Sequence, residues 1–337
     1  MKTSHSLTAL PNYPQRLILF LLAVLALTCV ISPWLAAGAD WVAAGWPSLI
    51  SEPIPFSRIF NRAFMISGIV LFICCRRLFA GAQWEQLLVI KFRLGCRDLF
   101  TGLGLAIGSM VVLAAAMTAG DVFSPFFRVS LAEAFSTIAS AVSAGIFAGA
   151  LEEVFFRGLL FKGVYDAGRP LRAYLLVNLF YSSLHFVRPG QPYSLTDFEP
   201  LAGFRHLFKT FAPFVDPLPI MPGILGLFLI GVVLSYALLR TNKLYLSIGL
   251  HAGWIIGLKS LRVFGDFRRQ DLGWLFGSTD PKIVSGVATF IGLALVGVAV
   301  HYLTRSRSGQ SADRLCEAAV ERAKLPERSC GEPSQSD

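Results

Sequence analysis

Long apolar runs recur along the chain, each interrupted by a short cluster of charged, proline or tryptophan residues. A helix crossing a bilayer needs about 20 apolar residues. That measure predicts spans at 17–37, 60–75 and 99–118, and a fourth from Leu131 whose apolar character continues to Phe161. Four more follow at 171–187, 220–239, 244–260 and 283–304. The first run is too long for a signal-peptide core, which predicts a retained anchor helix; cleavage near Ala39 is the alternative. Trp41, Trp46, Pro47, Pro53 and Pro55 follow it, as in an interfacial loop. Between the second and third spans, 81–97 reads as an amphipathic segment on an anionic membrane surface. Gly and Ala enrich 99–118 and allow close helix packing. A long loop over 188–218 carries five prolines from Pro189 to Pro217, and the polar tail from Arg305 is expected to be disordered.

Composition sharpens this picture. Of 337 residues, 54% are hydrophobic and 15% charged, and the mean hydropathy is +0.60. Soluble domains carry about a quarter charged residues, so the expected fold class is an all-α polytopic membrane protein of about eight transmembrane helices. The net charge of +9 then belongs to membrane topology rather than to nucleic acid. Lys and Arg gather after the second span (Arg76, Arg77, Lys91, Arg93, Arg97) and after the fourth (Lys162, Arg169, Arg172). They recur after the sixth (Arg240, Lys243) and after the last (Arg305, Arg307). All these positions fall on one side of an eight-span chain, which predicts both termini in the cytoplasm. The six cysteines lack zinc-ligand spacing and read as free thiols. No internal repeat, phosphate-binding loop or nucleotide fingerprint is present.

Ionisable residues inside apolar segments are costly and mark function by default. The sharpest case is LEEVFFRGLL, Leu151 to Leu160, which sets Glu152, Glu153 and Arg157 within a span. On a helix Arg157 lies four residues from Glu153 and can pair with it, which leaves Glu152 to face something else. A helix end at the water interface with Arg157 snorkelling is the plain alternative.

Two of the five histidines also lie inside spans. His185 shares a stripe with Asn178 and Tyr181, spaced three and four apart, and His251 follows Ser247 by one turn. By a helix rise of about 1.5 Å per residue, His251 lies roughly 10 Å beyond Leu244 and His185 roughly 19 Å beyond Arg172. Glu152 lies about 15 Å before Lys162 by the same measure. The three therefore can meet at mid-depth. A carboxylate with imidazoles can activate water, bind zinc, or carry protons along a transport path.

The order and local wording, EEVFFR (Glu152 to Arg157), YSSLH (Tyr181 to His185) and SIGLHAGW (Ser247 to Trp254), resemble the CPBP family. This group holds the type II CAAX prenyl endopeptidases and bacteriocin-processing, Abi-type membrane proteins. The resemblance covers about 130–258. It implies a catalytic helical core over 131–260; outside it lie N-terminal membrane helices over 1–130, a loop and last membrane helix over 261–304, and a tail over 305–337. It implies an intramembrane endopeptidase in the bacterial plasma membrane that hydrolyses a peptide bond of a membrane-associated protein or peptide. Glu152 and His185 then activate water, Glu153 and Arg157 support them, and His251 stabilises the oxyanion. Asn178 and Tyr181 stand beside these as supporting residues. A glutamic-type enzyme without cofactor is favoured over a zinc enzyme holding its metal through Glu152, His185 and His251. The partners implied are the substrate and the bilayer, with no nucleic acid.

The chain departs from the family pattern twice. Tyr181 stands where Phe is usual. Ile255 stands where Asn is usual, four residues after His251, and cannot donate a hydrogen bond. Loss of one oxyanion donor costs about 10²–10³ in rate. Asn178 and Ser247 are the candidates to make good that loss. The rival reading is a non-catalytic immunity or scaffold protein on the same fold, for which Ile255 is the support. A transporter is third, since no repeated pair of halves is visible.

Overall fold

The computed structural model describes residues 13–46, 54–75, 92–187, 194–195, 197–269, 271–277 and 283–323. Two long helices, α1 (Tyr13–Gly45) and α2 (Phe56–Cys75), open the chain as a hairpin. The amphipathic segment expected over 81–97 lies outside the described residues up to 91, and from Phe92 it is the first turn of α3 (Phe92–Ala119). Next comes α4 (Leu131–Glu153), whose Ser130 caps the first turn by accepting from the Glu133 amide. The same continuous rod passes through a π-helical stretch, Val154–Phe161, and ends in Lys162–Asp166.

After a turn at Pro170–Arg172, a second π-helical stretch, Ala173–Val177, leads into α5 (Asn178–Leu184). Then follow α6 (Ala202–Thr210), α7 (Met221–Thr241), α8 (Tyr245–Leu261) and α9 (Val287–Ala323). Asn242 takes the left-handed conformation at φ 50° that ends α7, a role Asn fills more readily than branched residues. The next helix begins three residues later. One antiparallel pair of three-residue strands, Phe123–Pro125 with Gly265–Phe267, ties the end of α3 to the end of α8.

Among the described residues six helices are long and apolar enough to cross a membrane: Ile18–Gly45, Phe56–Cys75, Gly95–Ala119, Leu131–Asp166, Met221–Thr241 and Val287–Arg305. The chain is thus an all-α polytopic membrane protein. The fifth and seventh expected spans are helical as well: the fifth is the 170–184 helix with its π-helical stretch, and the seventh is the 17-residue α8. The 188–218 stretch, expected as loop, holds α6, whose buried His206 packs its ring against Phe56 and Phe60 of α2. The last helix runs to Ala323, beyond the Arg305 at which the polar tail is expected to begin. Good helix formers (RLCEAAVERA) continue there.

The core is built on α7 and α8. Leu234, Ala237, Leu238, Leu244 and Leu250 are fully buried, and Ser247 Oγ donates to the Leu234 carbonyl at 2.9 Å to join the two helices. Gly249, Gly253 and Gly257 form a stripe on α8, four residues apart. A methyl group at Gly249 would land on the Leu99 carbonyl, one at Gly253 would come 2.6 Å from Ala106 Cβ, and one at Gly257 2.8 Å from Met110 Cγ. On the adjoining face of α8, Gly145 and Gly149 of α4 approach Ala252 just as closely. Small residues at such spacing let helix backbones touch in a membrane. His251 is carried between the two seams.

Gly249→Ala is therefore expected to force α3 from α8 and to destabilise the protein by about 1–3 kcal/mol, the usual range for overpacking. Gly104→Ala, where an added methyl meets nothing within 4 Å, serves as control. Thermal unfolding of both variants in the same detergent checks it; equal melting temperatures would contradict the seam.

Candidate active site

Glu152 and Glu153 are the last residues of regular α-helix in α4, and the backbone widens to i→i+5 bonding immediately after them. Single π segments of this kind frequently sit at functional sites. Here the widened stretch carries Arg157 and buries Phe156 and Leu159 to Phe161 against the core. Glu153 and Arg157 are wholly buried, with Arg157 Nη1 3.0 Å from Glu153 Oε1. The guanidinium is also held by rings: its carbon stands 4.2 Å from the centroid of Tyr181 and 5.9 Å from that of Phe156. Cation–π contacts are strongest where water is excluded. The pairing expected from helix spacing is present, and the carboxylate has a second partner that spacing did not reveal. His251 Nδ1 lies 2.8 Å from the same Oε1.

Glu152 faces the other way. Its Oε2 is a buried atom without a hydrogen-bond partner in the protein. It stands 3.9 Å from His185 Nε2 and 3.7 Å from His251 Nε2. The side chains of Glu152 and His185 are about a third exposed (33% and 34%), whereas His251 is only 6% exposed. Glu152, His185 and His251, expected on three helices, thus converge on one space with an open side.

The hydrogen-bond partners assign the tautomers. His185 caps the end of α5, and its Nδ1 lies 2.9 Å from the Tyr181 carbonyl. A carbonyl accepts only, so Nδ1 carries the proton and neutral His185 presents a bare Nε2. His251 Nδ1 likewise donates to the Glu153 carboxylate, and in the neutral ring this leaves Nε2 bare as well. Three lone-pair bearers therefore confront one another across 3.7 to 3.9 Å, a span that one water bridges.

The polar stripe on α5 divides. Tyr181 and His185 turn into the site, with the Tyr181 hydroxyl 3.5 Å from His251 Nε2. Asn178 turns toward α7: its Nδ2 donates to the Tyr174 carbonyl at 2.9 Å, and its Oδ1 accepts from Ser235 at 3.2 Å. Ser247 is committed to the Leu234 carbonyl. Ile255 lies one turn beyond His251 and is half-buried.

The same donors were tested for zinc. Bonds of about 2.0–2.1 Å set the ligand atoms of a tetrahedral zinc roughly 3.3–3.5 Å apart. The separations here are wider, and among the described residues no group of three or more His, Cys, Asp or Glu is arranged to hold a metal ion.

The weight carried by the buried ion pair can be measured. Arg157→Ala leaves Glu153 charged, buried and uncompensated. Breaking a buried pair in this way costs about 3–5 kcal/mol, so folded yield and melting temperature are expected to collapse. A melting temperature within a few degrees of wild type would show that the pair contributes little.

The segment that carries all of these groups, residues 134–256, matches the family model described as Rce1-like, type II CAAX prenyl endopeptidase Rce1-like. No curated protein and no solved structure matches the sequence. This segment, a little over a third of the chain, holds both acids, the arginine and both histidines of the site, and it is similar to the type II CAAX prenyl endopeptidases of the CPBP group.

Proposed function

We propose that the protein is an intramembrane endopeptidase of the glutamic type, and that Glu152 and His185 activate the attacking water. The observation that carries this reading is the buried, unpartnered Oε2 of Glu152 between two imidazole nitrogens that bear no proton. A water held there points its protons at acceptors and its lone pair outward, toward the open side. As it attacks a peptide carbonyl carbon, one proton passes to Glu152 and the carbon–oxygen bond forms. The tetrahedral intermediate then breaks its carbon–nitrogen bond, and the proton held by Glu152 goes to the leaving amine. A new carboxyl and a new amino terminus result, so the atoms balance as hydrolysis.

In this reading Glu153 is structural and electrostatic. Its one oxygen accepts from His251 Nδ1, and Arg157 stands 3.0 Å from that oxygen as its counter-ion in an apolar setting. General acid–base groups contribute about 10²–10⁴ in rate. Glu152→Gln removes the proton acceptor and preserves size. It is expected to lower cleavage by that factor without loss of folded protein, because the side chain bears no structural bond. Mass spectrometry of new peptide termini in membranes carrying equal amounts of wild type and variant measures it. Identical terminus profiles would favour the non-catalytic scaffold, the reading that Ile255 supports.

A second outcome separates the glutamic from the metallo type. The arrangement of donors predicts activity that persists after dialysis against a strong zinc chelator. Loss of activity that returns with added zinc would instead assign Glu152, His185 and His251 to a metal. The substrate class proposed is a membrane-associated protein or peptide, cleaved where the open side of the site meets the bilayer.

A further inference from the structure

Attack on a carbonyl needs a donor as well as a base, because the carbonyl oxygen gains negative charge as the water adds. Donors aimed at that oxygen are usually the largest single contribution to such catalysis. The groups converging here are short of them. Glu152 accepts only, and as neutral rings His185 and His251 each spend their one N–H on another partner, the Tyr181 carbonyl and the Glu153 carboxylate. Ile255, one turn beyond His251 on the same face, offers nothing. Asn178 and Ser247 are engaged between helices.

One O–H remains. The Tyr181 hydroxyl stands 3.5 Å from His251 Nε2, and that nitrogen is 3.7 Å from Glu152 Oε2. The ring is 1% exposed and clamped on its face by Arg157 and on its edge by Phe156, whose centroid is 5.0 Å away. Its aim is therefore fixed before any substrate arrives. At 3.5 Å the bond to His251 is long and weak, so the proton is free to turn toward a stronger acceptor nearby.

We propose that Tyr181 is the oxyanion donor of this protein and takes the part that Ile255 cannot play. The proposal rests on the hydrolase reading above. In the resting site the hydroxyl leans on His251 Nε2. As the tetrahedral intermediate forms, it shifts its hydrogen bond to the developing oxyanion and keeps its proton. His251 Nε2, released, accepts from the bridging water. The tyrosine departure and the isoleucine departure thus become one exchange: the donor moves from α8 to α5.

The test uses full-length protein in lipid nanodiscs acting on solubilised membrane proteins from cells that lack it, with initial rates of new termini read by mass spectrometry. Tyr181→Phe keeps the ring and its contact with Arg157 and removes only the hydroxyl. The expected result is a loss of about 10²–10³ in kcat with KM unmoved, the usual effect of deleting one oxyanion donor. Ile255→Asn in that background is expected to recover a large part of the loss, and alone to change little. An unchanged kcat in Tyr181→Phe overturns the proposal, as does a loss confined to KM, or a double variant no faster than Tyr181→Phe. Should Tyr181→Phe fail to fold, fluorotyrosine at position 181 retains the packing and changes only the acidity of the donor; an unaltered kcat there is equally fatal. Glu152→Gln runs beside each variant. If it cleaves as fast as wild type, the hydrolase reading itself falls, whatever Tyr181 does; if it is inactive while Tyr181→Phe is not, only the donor assignment falls.

Discussion

One carboxylate oxygen, Oε1 of Glu153, meets both Arg157 and His251 in a place water does not reach. Each of the three alone would be prohibitively costly there. Together they satisfy the charge and join the widened turn after α4 to the middle of α8. Tyr181 covers the guanidinium, and its backbone carbonyl in turn orients His185. The positions of all the groups around Glu152 can be traced back to that shared oxygen. Glu152 Oε2 is left without a hydrogen-bond partner in the protein, while its neighbour takes up the guanidinium and one imidazole.

The backbone serves this arrangement at two places. The π-helical stretches after Glu153 and before Asn178 face each other, and both elements bring a site residue with them. The glycine stripe of α8 brings it close to α3, with backbone contact at Gly249 and Leu99, and Gly145 and Gly149 of α4 close on Ala252 from the adjoining face. Backbone contact of this sort is less compliant than contact through long side chains, since no rotamer change can absorb a shift.

Much of the site is legible in the sequence because its strongest signals are local. Glu153 and Arg157 are one helical turn apart, and charged residues inside an apolar run stand out on cost alone. The apolar runs likewise predicted an all-helical membrane chain, and six long apolar helices are found. What was not legible depends on partners distant in sequence. Nothing near Glu153 foretells that His251, 98 residues on, shares its oxygen. Asn178 and His185 occupy one predicted stripe, yet only packing against α7 decides that the amide turns away. The spacing of Gly249, Gly253 and Gly257 is visible in the chain, but which helix fills the groove is not. The π-helical turns have no sequence signature, and α6 was hidden among prolines that read as loop.

The glycine seams also govern how a bilayer-borne chain can reach Glu152. On the α3 and α4 sides the walls around His251 are helices packed at glycine distance, with Leu99, Ala106 and Ala252 as the nearest neighbours. Glu152 and His185 keep about a third of their side chains exposed (33% and 34%). On the proposed hydrolase reading, a substrate would meet Glu152 from that exposed side, and the glycine seams would form the back of its binding space.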